Sequence, residues 1–389
     1  MKTDTMISPL MQTYNRFHVN PVKGKGCYVW DADGHQYLDF TSGIGTCNLG
    51  HVPDAVKTKL MQQLENLWHC SNLYHINVQE QLAVALTENS CLEQVFFCNS
   101  GAEANEAAIK LARLYHPERS NIITFQQSFH GRTMATLSAS GQEKIQIGFA
   151  PLLSGFTQFP YNDLDHLTKL KEELPAAVML ELVQGEGGVH PAEQQWIDEL
   201  VQICTDDDIL LIVDEVQTGM GRTGTLFAHE QYGFDPDVVT IAKGLGSGFP
   251  IGAMMAKKEV SKAFQPGTHG STFGGNPLAA TAGLATINEL QHTSAIVNGE
   301  EKSHILLTYL NQLKQDFPQL KAIRGRGLLI GIETDSSAGD IVKAAIKEKL
   351  LILTAGPTVI RLLPPLTITE DDVTLFAKKF RNALQQVYA

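Results

Sequence analysis

The amino-acid sequence predicts an α/β fold whose larger domain is built on a mostly parallel sheet flanked by helices. The chain has 389 residues, of which 43% are hydrophobic and 19% charged, as in globular proteins with a large core. Helical segments, notably 102–115 and 193–205, lie between apolar runs. These runs are continuous rather than alternating, which is typical of strands covered on both faces. The predicted strands are 94–99, 121–125, 176–183, 209–215, 238–242 and 252–256.

The order of the elements predicts two lobes with a cleft between them. Short strand-like pieces flank an Asp33-Gly34 turn near the start of the chain. Beyond about residue 285, a helix and two short apolar segments precede a final helix, which opens with Thr369 three residues before Asp372. We therefore predict an N-terminal segment (1–50) that joins the small domain, a large domain (51–285) and a C-terminal small domain (286–389).

Composition and charge exclude several classes of protein. The net charge of −12 and the pI near 5.5 argue against binding to nucleic acid or to an anionic membrane surface. No run approaches the ~20 apolar residues of a membrane span, and the opening MKTDTMISPLMQTYNRF lacks the pattern of a signal peptide. The six cysteines form neither a CxxC pair nor a metal-like cluster. We expect reduced thiols, no metal site and a cytoplasmic location.

Polar residues follow three of the predicted strands at the point where each strand ends. Ligands of open parallel sheets bind beyond the carboxyl ends of the strands. Gly101 and Ala102 open a helix whose first amides could face a phosphate, although Ser100 could also be an ordinary cap. Asp214 ends a buried strand and needs a cation, either a ligand or an arginine. Lys243 follows the next strand, where loss of hydration would make its amine nucleophilic.

Together these three features match what pyridoxal phosphate (PLP) requires. The cofactor needs a lysine for a covalent link, an acidic residue at its pyridine nitrogen and a cradle for its phosphate. The segment GMGRTG (219–224) has the spacing of a dinucleotide-binding motif. However, EVQT separates it from the strand and TLFAHEQYG is a poor helix, so we do not assign it a nicotinamide or flavin.

The chain resembles the class III PLP-dependent aminotransferases and, within them, the acetylornithine aminotransferases. The resemblance runs from GKGCYVWDADGHQYLDF to IRLLPPLTI. It is carried jointly by NSGAEANEAAIKLAR, SFHGRT, VQGEGGV, VDEVQTGMGRTG, IAKGLGSGFPIGA and HGSTFGGNPLA. It implies a fold-type I aminotransferase that works as a homodimer with shared active sites.

The resemblance also implies roles around the cofactor. Lys243 would bind PLP covalently and move the substrate proton, and Asp214 would pair with the pyridine nitrogen. Gln217 would approach the phenolic oxygen, and Phe129 would stack on the ring unless it only packs in the core. The phosphate would be held by Gly101, Ala102 and Thr272 of the other subunit.

Five further residues are implied in substrate binding. Arg132 would grip a carboxylate, although a surface ion pair is the alternative. Glu186 and Arg361 would form a pair that closes for an ω-amine and opens for glutamate, or else a purely structural ion pair. Ser271 is assigned to the same group. Ile44 replaces a tyrosine that holds the free α-amino group in ornithine aminotransferases, unless it is simply a core residue.

The predicted reaction is transfer of an amino group from N2-acetyl-L-ornithine to 2-oxoglutarate, in arginine biosynthesis. Because isoleucine cannot hydrogen-bond a free ammonium, Ile44 favours the acetylated substrate. The alternatives are another ω-aminotransferase, acting on ornithine, 4-aminobutyrate, succinylornithine or succinyl-diaminopimelate, and a PLP-binding protein without catalysis. The stretches LGHVPDA and ELVQGE depart from the family pattern beside the expected pocket, which leaves the exact substrate open.

Overall fold

A computed structural model describes residues 9–388. The first eight residues of the predicted N-terminal segment, with the start of the stretch tested for a signal peptide, and Ala389 lie outside the described residues. Within residues 9–388, no helix combines the length and apolar character needed to cross a membrane. All six cysteines lie in this range and are free thiols.

The strands and helices are numbered here in chain order. The strands are β1 (Pro21–Lys25), β2 (Tyr28–Asp31), β3 (Gln36–Asp39), β4 (Gln94–Cys98), β5 (Ile122–Phe125), β6 (Phe156–Phe159), β7 (Ala177–Leu180), β8 (Val183–Gln184), β9 (His190–Pro191), β10 (Leu210–Asp214), β11 (Val238–Ile241), β12 (Gly252–Ala256), β13 (Leu320–Arg326), β14 (Leu329–Thr334), β15 (Leu350–Leu351), β16 (Leu353–Thr354) and β17 (Val359–Leu362). The α-helices are α1 (Ser42–Gly45), α2 (Asp54–Leu64), α3 (Asn77–Thr87), α4 (Gly101–Tyr115), α5 (Met134–Ala139), α6 (Glu143–Gln146), α7 (Leu164–Leu167), α8 (Leu170–Glu173), α9 (Gln194–Asp206), α10 (Lys258–Ser261), α11 (Pro277–His292), α12 (Ala295–Asp316), α13 (Ala338–Lys347) and α14 (Glu370–Tyr388). Two 3-10 helices span Ala228–Tyr232 and Lys243–Gly246.

The central sheet confirms the predicted fold class. Its seven strands lie in the order β4-β12-β11-β10-β7-β5-β6. β12 runs antiparallel to its neighbours β11 and β4, whereas the other neighbouring pairs are parallel. β4 therefore points the same way as β10 and β11, so the carboxyl ends of these three strands lie at one edge of the sheet.

Both faces of this sheet are buried, which explains why its strands are continuous apolar runs. In β10, Leu211 and Val213 pack into the larger core together with α9 and α11. The alternate residues Leu210 and Ile212 pack on the opposite face against α4 and α5. Successive side chains of a strand point to opposite faces, so helices on both sides demand an apolar residue at every position.

One predicted strand is wrong in extent. The run 176–183 was expected to be continuous, but β7 ends at Leu180 and β8 begins at Val183. Between them the chain leaves the sheet: the Glu181 carbonyl accepts the Tyr161 hydroxyl at 2.7 Å, and the Leu182 carbonyl accepts the Ala192 amide at 2.9 Å. These tertiary hydrogen bonds replace the ladder bonds that a longer strand would need.

The N-terminal strands and the C-terminal part of the chain share a sheet. β1, β2 and β3 form an antiparallel meander around the predicted Asp33-Gly34 turn, and β15 pairs in parallel with β3. A separate antiparallel sheet has the order β13-β14-β17-β16. The proposed boundary near residue 285 lies inside α11, which contacts α2 and α3.

Candidate active site

A cavity of about 450 Å³ opens where the strands β4, β10 and β11 end. Its walls also include the start of α4, the segment from Phe129 to Arg132, and the loop from Gly248 to Ile251. Eight of the residues predicted from the sequence line it: Gly101, Ala102, Phe129, Arg132, Glu186, Asp214, Gln217 and Lys243.

Lys243 lies directly beyond β11 and starts a short 3-10 turn. Its φ of +39° lies in the left-handed region, which is strained for a residue with a Cβ. The side chain is half-buried in the cavity. Burial lowers the pKa of the Lys243 amine, and the nearby Glu186 carboxylate only partly opposes this shift. The site therefore favours a neutral, nucleophilic amine.

The Asp214 carboxylate is buried and held on both oxygens. Oδ1 accepts the Val216 amide at 3.0 Å, and Oδ2 accepts the Asn105 side-chain amide at 2.8 Å. Oδ2 also lies 2.8 Å from Nδ1 of His130. Burial alone would lower the pKa of His130, but the hydrogen bond and charge of Asp214 raise it. The predicted alternative of an arginine partner is wrong, because the side chain that pairs with this carboxylate is His130.

The neighbouring strand fixes this arrangement. Asp214 is in parallel register with Thr240 of β11, whose hydroxyl donates to Oδ1 of Asn105 at 2.6 Å. Asn105 lies one turn into α4 and also donates to the His130 carbonyl at 2.7 Å. The Asn105 side chain on α4 thus connects β10, β11 and the loop that carries His130.

The start of α4 has the geometry of an anion-binding site. The Ser100 hydroxyl accepts the Glu103 amide at 3.2 Å, so the predicted cap is present. Helix geometry leaves the amides of Gly101 and Ala102 without intrahelical partners, and both residues line the cavity. A Cβ on Gly101 would lie 2.7 Å from Cγ1 of Val216, so only glycine allows this close approach to the strand end.

Glu186 and Arg361 form the predicted pair. Nη1 of Arg361 donates to Oε1 of Glu186 at 2.6 Å, to Oε1 of Gln217 at 3.0 Å and to the Gly185 carbonyl at 3.0 Å. Arg361 is 2% exposed, and its Nε is buried without a partner. Burial alone would raise the pKa of Glu186, but the Arg361 charge and hydrogen bond hold it below its ordinary value.

Phe129 and Arg132 lie between β5 and α5 and also line the cavity. The Arg132 guanidinium is exposed and lies 5.7 Å from the centroid of the Phe129 ring. The Phe129 amide donates to Oε2 of Glu181 at 2.9 Å. Burial raises the pKa of Glu181 to about 7, although the His130 charge opposes the shift.

Four predicted residues do not line the cavity: Arg361, which lies behind Glu186 and Gln217, and Ser271, Thr272 and Ile44. Ser271 lies near its edge, where its hydroxyl accepts the Asn99 side-chain amide at 3.2 Å. Thr272 is exposed and borders a separate surface cavity of about 690 Å³ together with Ser271. Ile44 is 45% exposed with a φ of +63°, so the alternative that it is a core residue is wrong. Thr46, two residues on, lines the cavity instead.

Sequence analysis did not assign roles to His130, Asn105 and Glu181. His130 and Asn105 lie within the motifs SFHGRT and NSGAEANEAAIKLAR, but nothing local shows that both reach Asp214. Glu181 gave a clearer signal, because a lone carboxylate within an apolar run must find a partner once it is buried.

Comparison with known proteins gives consistent results. A family model described as aminotransferase class-III matches residues 10–384. The acetylornithine aminotransferase of Oceanobacillus iheyensis is 53% identical over 378 residues, which cover 96% of this chain and 95% of the relative. The corresponding enzyme of Bacillus subtilis is 49% identical, with 97% and 98% covered.

Solved structures agree over nearly the whole chain. The N-acetylornithine aminotransferase of Stenotrophomonas maltophilia superposes with a TM-score of 0.85 at 37% identity, covering 96% of this chain and 97% of the other. The ornithine aminotransferase of Toxoplasma gondii superposes with a TM-score of 0.94 at 32% identity, covering 97% and 93%. A second structure of the Toxoplasma enzyme has partial occupancy of PLP at its active site. The chain belongs to the class III aminotransferases.

Proposed function

We propose that this enzyme uses PLP to transfer the distal amino group of N2-acetyl-L-ornithine to 2-oxoglutarate, giving N-acetyl-L-glutamate 5-semialdehyde and L-glutamate in arginine biosynthesis. The observation that carries the proposal is the arrangement of a desolvated Lys243, a fixed Asp214 carboxylate and the start of α4 around one cavity. Relatives about 50% identical over nearly the full chain are named acetylornithine aminotransferases, which supports this substrate.

The residues at the cavity suit PLP. An amine, a carboxylate and a helix start match its aldehyde, its ring nitrogen and its phosphate. Nε2 of His130 is buried without a partner, and the glycine at the start of α4 leaves space where a side chain would clash. We infer that Lys243 holds the aldehyde carbon, Asp214 the ring nitrogen, Gly101 and Ala102 the phosphate, and Phe129 and Gln217 the ring.

When bound, the cofactor supplies an electron sink that lets a proton leave the carbon bearing the substrate amine. The Lys243 amine, whose lowered pKa makes a lone pair more available, would accept that proton and pass it to the carbon on the other side of the transferred nitrogen. Asn105 and His130 both contact Oδ2 of Asp214 and keep the carboxylate pointed into the site. Because these hydrogen-bonding groups around Asp214 are already in place, they need little reorganisation during the reaction.

Glu186 and Arg361 provide for two chemically different substrates. With N-acetylornithine bound, Glu186 neutralises Arg361, so the aliphatic chain next to the reacting amine meets no unpaired charge. With glutamate bound, Glu186 moves away and Arg361 receives the α-carboxylate. Arg132 grips the single carboxylate of N-acetylornithine and the side-chain carboxylate of glutamate, and Ser271 contributes from the cavity edge.

Ornithine is the second candidate substrate, since the Toxoplasma structure with a TM-score of 0.94 is an ornithine aminotransferase. Ile44 is 45% exposed and outside the cavity lining of the single chain, so it would meet the substrate only where the proposed second subunit closes over the site. There it argues against ornithine, because it offers no hydrogen bond to a free α-ammonium. An unpaired buried polar group costs about 1–3 kcal/mol, so we expect preference for the acetylated substrate by at least about tenfold.

The test is a screen of N-acetylornithine, ornithine, 4-aminobutyrate and the succinylated amines against 2-oxoglutarate, comparing kcat/KM. Ile44→Tyr should reduce the ratio for N-acetylornithine over ornithine, and Ile44→Val serves as the matched control. A native preference for free ornithine would overturn the substrate assignment and leave the aminotransferase class intact. A visible absorbance change on adding glutamate separates a working enzyme from a protein that only binds PLP.

We also propose a cytoplasmic homodimer in which Thr272 completes the phosphate site of the other subunit. The six free thiols support a reducing compartment. Exposed apolar side chains on and after α2, together with Phe273 next to Thr272, support a subunit interface: Met61, Leu64, Leu67, Trp68, Leu73, Tyr74 and Phe273.

A further inference from the structure

A cysteine, a histidine and a glutamate form a hydrogen-bonded row outside the active-site cavity. Sγ of Cys91 lies 3.8 Å from Nε2 of His229, and Nδ1 of His229 lies 3.2 Å from Oε1 of Glu215. None of the three lines the cavity of about 450 Å³. The proposed aminotransferase reaction therefore leaves this row without a role.

The glutamate fixes the imidazole in place. Glu215 and His229 are both buried, and Oε1 of Glu215 also accepts the His229 backbone amide at 3.0 Å. Its Oε2 accepts the Thr218 hydroxyl at 2.6 Å. Burial alone would lower the pKa of His229, but the hydrogen bonds with Cys91 and Glu215 raise it to about 9. An imidazolium therefore faces the thiol at neutral pH.

Cys91 is the half-buried end of this row, whereas His229 and Glu215 are buried. It lies in the loop between α3 and β4 and is half-buried, as are Cys47 and Cys70. The other three cysteines are buried; burial raises the pKa of Cys98 to about 12 and also raises the pKa of Cys27 and Cys204. Cys70 offers a matched comparison, because the partner of its thiol is the Ser71 carbonyl rather than an imidazole.

We propose that Cys91 is a modification site, a nucleophilic thiol that peroxide oxidises to sulfenic acid. A cationic histidine stabilises the thiolate, which is the reactive form of cysteine, and the carboxylate orients the ring as in catalytic triads. The thiolate sulfur attacks one peroxide oxygen, so an S–O bond forms and the O–O bond breaks. Sulfur loses two electrons, and the departing hydroxide takes the proton of His229 Nε2 and leaves as water.

The test treats the holoenzyme with hydrogen peroxide in the presence of dimedone and maps the adducts by peptide mass spectrometry. We expect adduct formation at Cys91 to be at least about tenfold faster than at Cys70, since the two thiols differ mainly in the histidine partner. His229→Gln should bring the rate at Cys91 to within about threefold of that at Cys70. Cys91→Ser should remove the adduct from this peptide.

The comparison within the unmodified enzyme decides the matter even if His229→Gln does not fold. Equal rates at Cys91 and Cys70 would overturn the proposal, as would labelling at Cys47 in place of Cys91. A fast rate at Cys91 that survives His229→Gln in a folded protein would also contradict it, because the imidazolium would then play no part. The result is independent of transaminase activity.

Discussion

At the scale of single residues, the balance of charge around Lys243 determines what the cavity can do. The amine loses hydration in the cavity, while Glu186 and Asp214 keep negative charge nearby and Arg361 opposes them. Loss of hydration favours the neutral amine more than the carboxylates favour the cation, so the pKa falls. The same position therefore explains both nucleophilicity and the capacity to accept a proton.

Substitution of Lys243 tests its role most directly. Lys243→Ala should abolish turnover while free PLP still binds through the remaining contacts, seen as a visible absorbance band after dialysis. Lys257→Ala, which removes a surface lysine paired with Asp237, should leave turnover unchanged. Borohydride reduction of the native enzyme should fix the cofactor on the peptide that contains Lys243. Its recovery on any other lysine would contradict the assignment.

Glu186→Ala should affect the two half-reactions differently. Without the carboxylate, Arg361 is free to meet an α-carboxylate, so the glutamate half-reaction should gain relative to the N-acetylornithine half-reaction by about tenfold or more. Single-turnover absorbance measures each half-reaction separately. Glu333→Ala, which removes the ion pair with Arg324, is the control and should leave the ratio unchanged. An equal change in both half-reactions would exclude the switch.

Glu181 should make the apoenzyme less stable as the pH rises. Its pKa is about 7 in the folded state against an ordinary value of 4.5, so the folded state binds the extra proton between these values. Stability therefore falls across this interval. Glu181→Gln stays neutral and should flatten the decline by about 1–3 kcal/mol between about pH 5 and pH 8. Parallel thermal unfolding profiles for Glu181→Gln and the unsubstituted protein would refute this.

At the scale of elements, capping fixes where the functional helices begin. Ser100 caps α4 and leaves the next two amides at the cavity. Thr369 and Asp372 make a reciprocal cap at α14: the Asp372 amide donates to Oγ1 of Thr369 at 3.2 Å, and the Thr369 amide donates to Oδ2 of Asp372 at 2.9 Å. Asp372 also accepts the Tyr28 hydroxyl, which ties α14 to the N-terminal strands.

Thr369→Ala should destabilise the C-terminal helix without touching the chemistry. Loss of the cap costs about 0.5–2 kcal/mol, so the Tm should fall by about 1–4 °C. Thr369→Ser keeps the hydroxyl and should retain most of the stability. Thermal unfolding followed by circular dichroism measures both variants, and kcat for the proposed reaction should stay within about twofold. An unchanged Tm in Thr369→Ala would show that the hydrogen bonds contribute no net stability.

At the scale of the whole molecule, hybrid dimers made from two different variant chains test whether the active sites are shared. In a hybrid of a Lys243→Ala chain with a Thr272→Ala chain, a shared site predicts one doubly damaged site and one intact site. Purified hybrids should then have about half the native activity per dimer. If Thr272 serves its own subunit, the hybrid should have half the activity of the Thr272→Ala homodimer. A hybrid of Lys243→Ala with the native chain gives the reference.

The fold class and the chemical core of the site follow from the amino-acid pattern alone. Continuous apolar runs reveal strands buried on both faces, because each position must be apolar whichever way it points. Gly101, Asp214 and Lys243 could be assigned to one edge, because strands that run in the same direction within one sheet have their carboxyl ends at the same edge. Local pattern was sufficient for these residues, since each lies next to a recognisable element boundary.

The partners that complete the site became visible only once the chain was folded. His130 and Asn105 reach Asp214 from 84 and 109 residues away in the chain, and Arg361 reaches Glu186 across 175 residues. The break after Leu180 and the exposure of Ile44 depend equally on distant contacts. The packing of helices and strands sets these pairings, so no local periodicity of the sequence encodes them. The energy of a buried charge depends on every neighbour around it, and these neighbours come from distant parts of the chain.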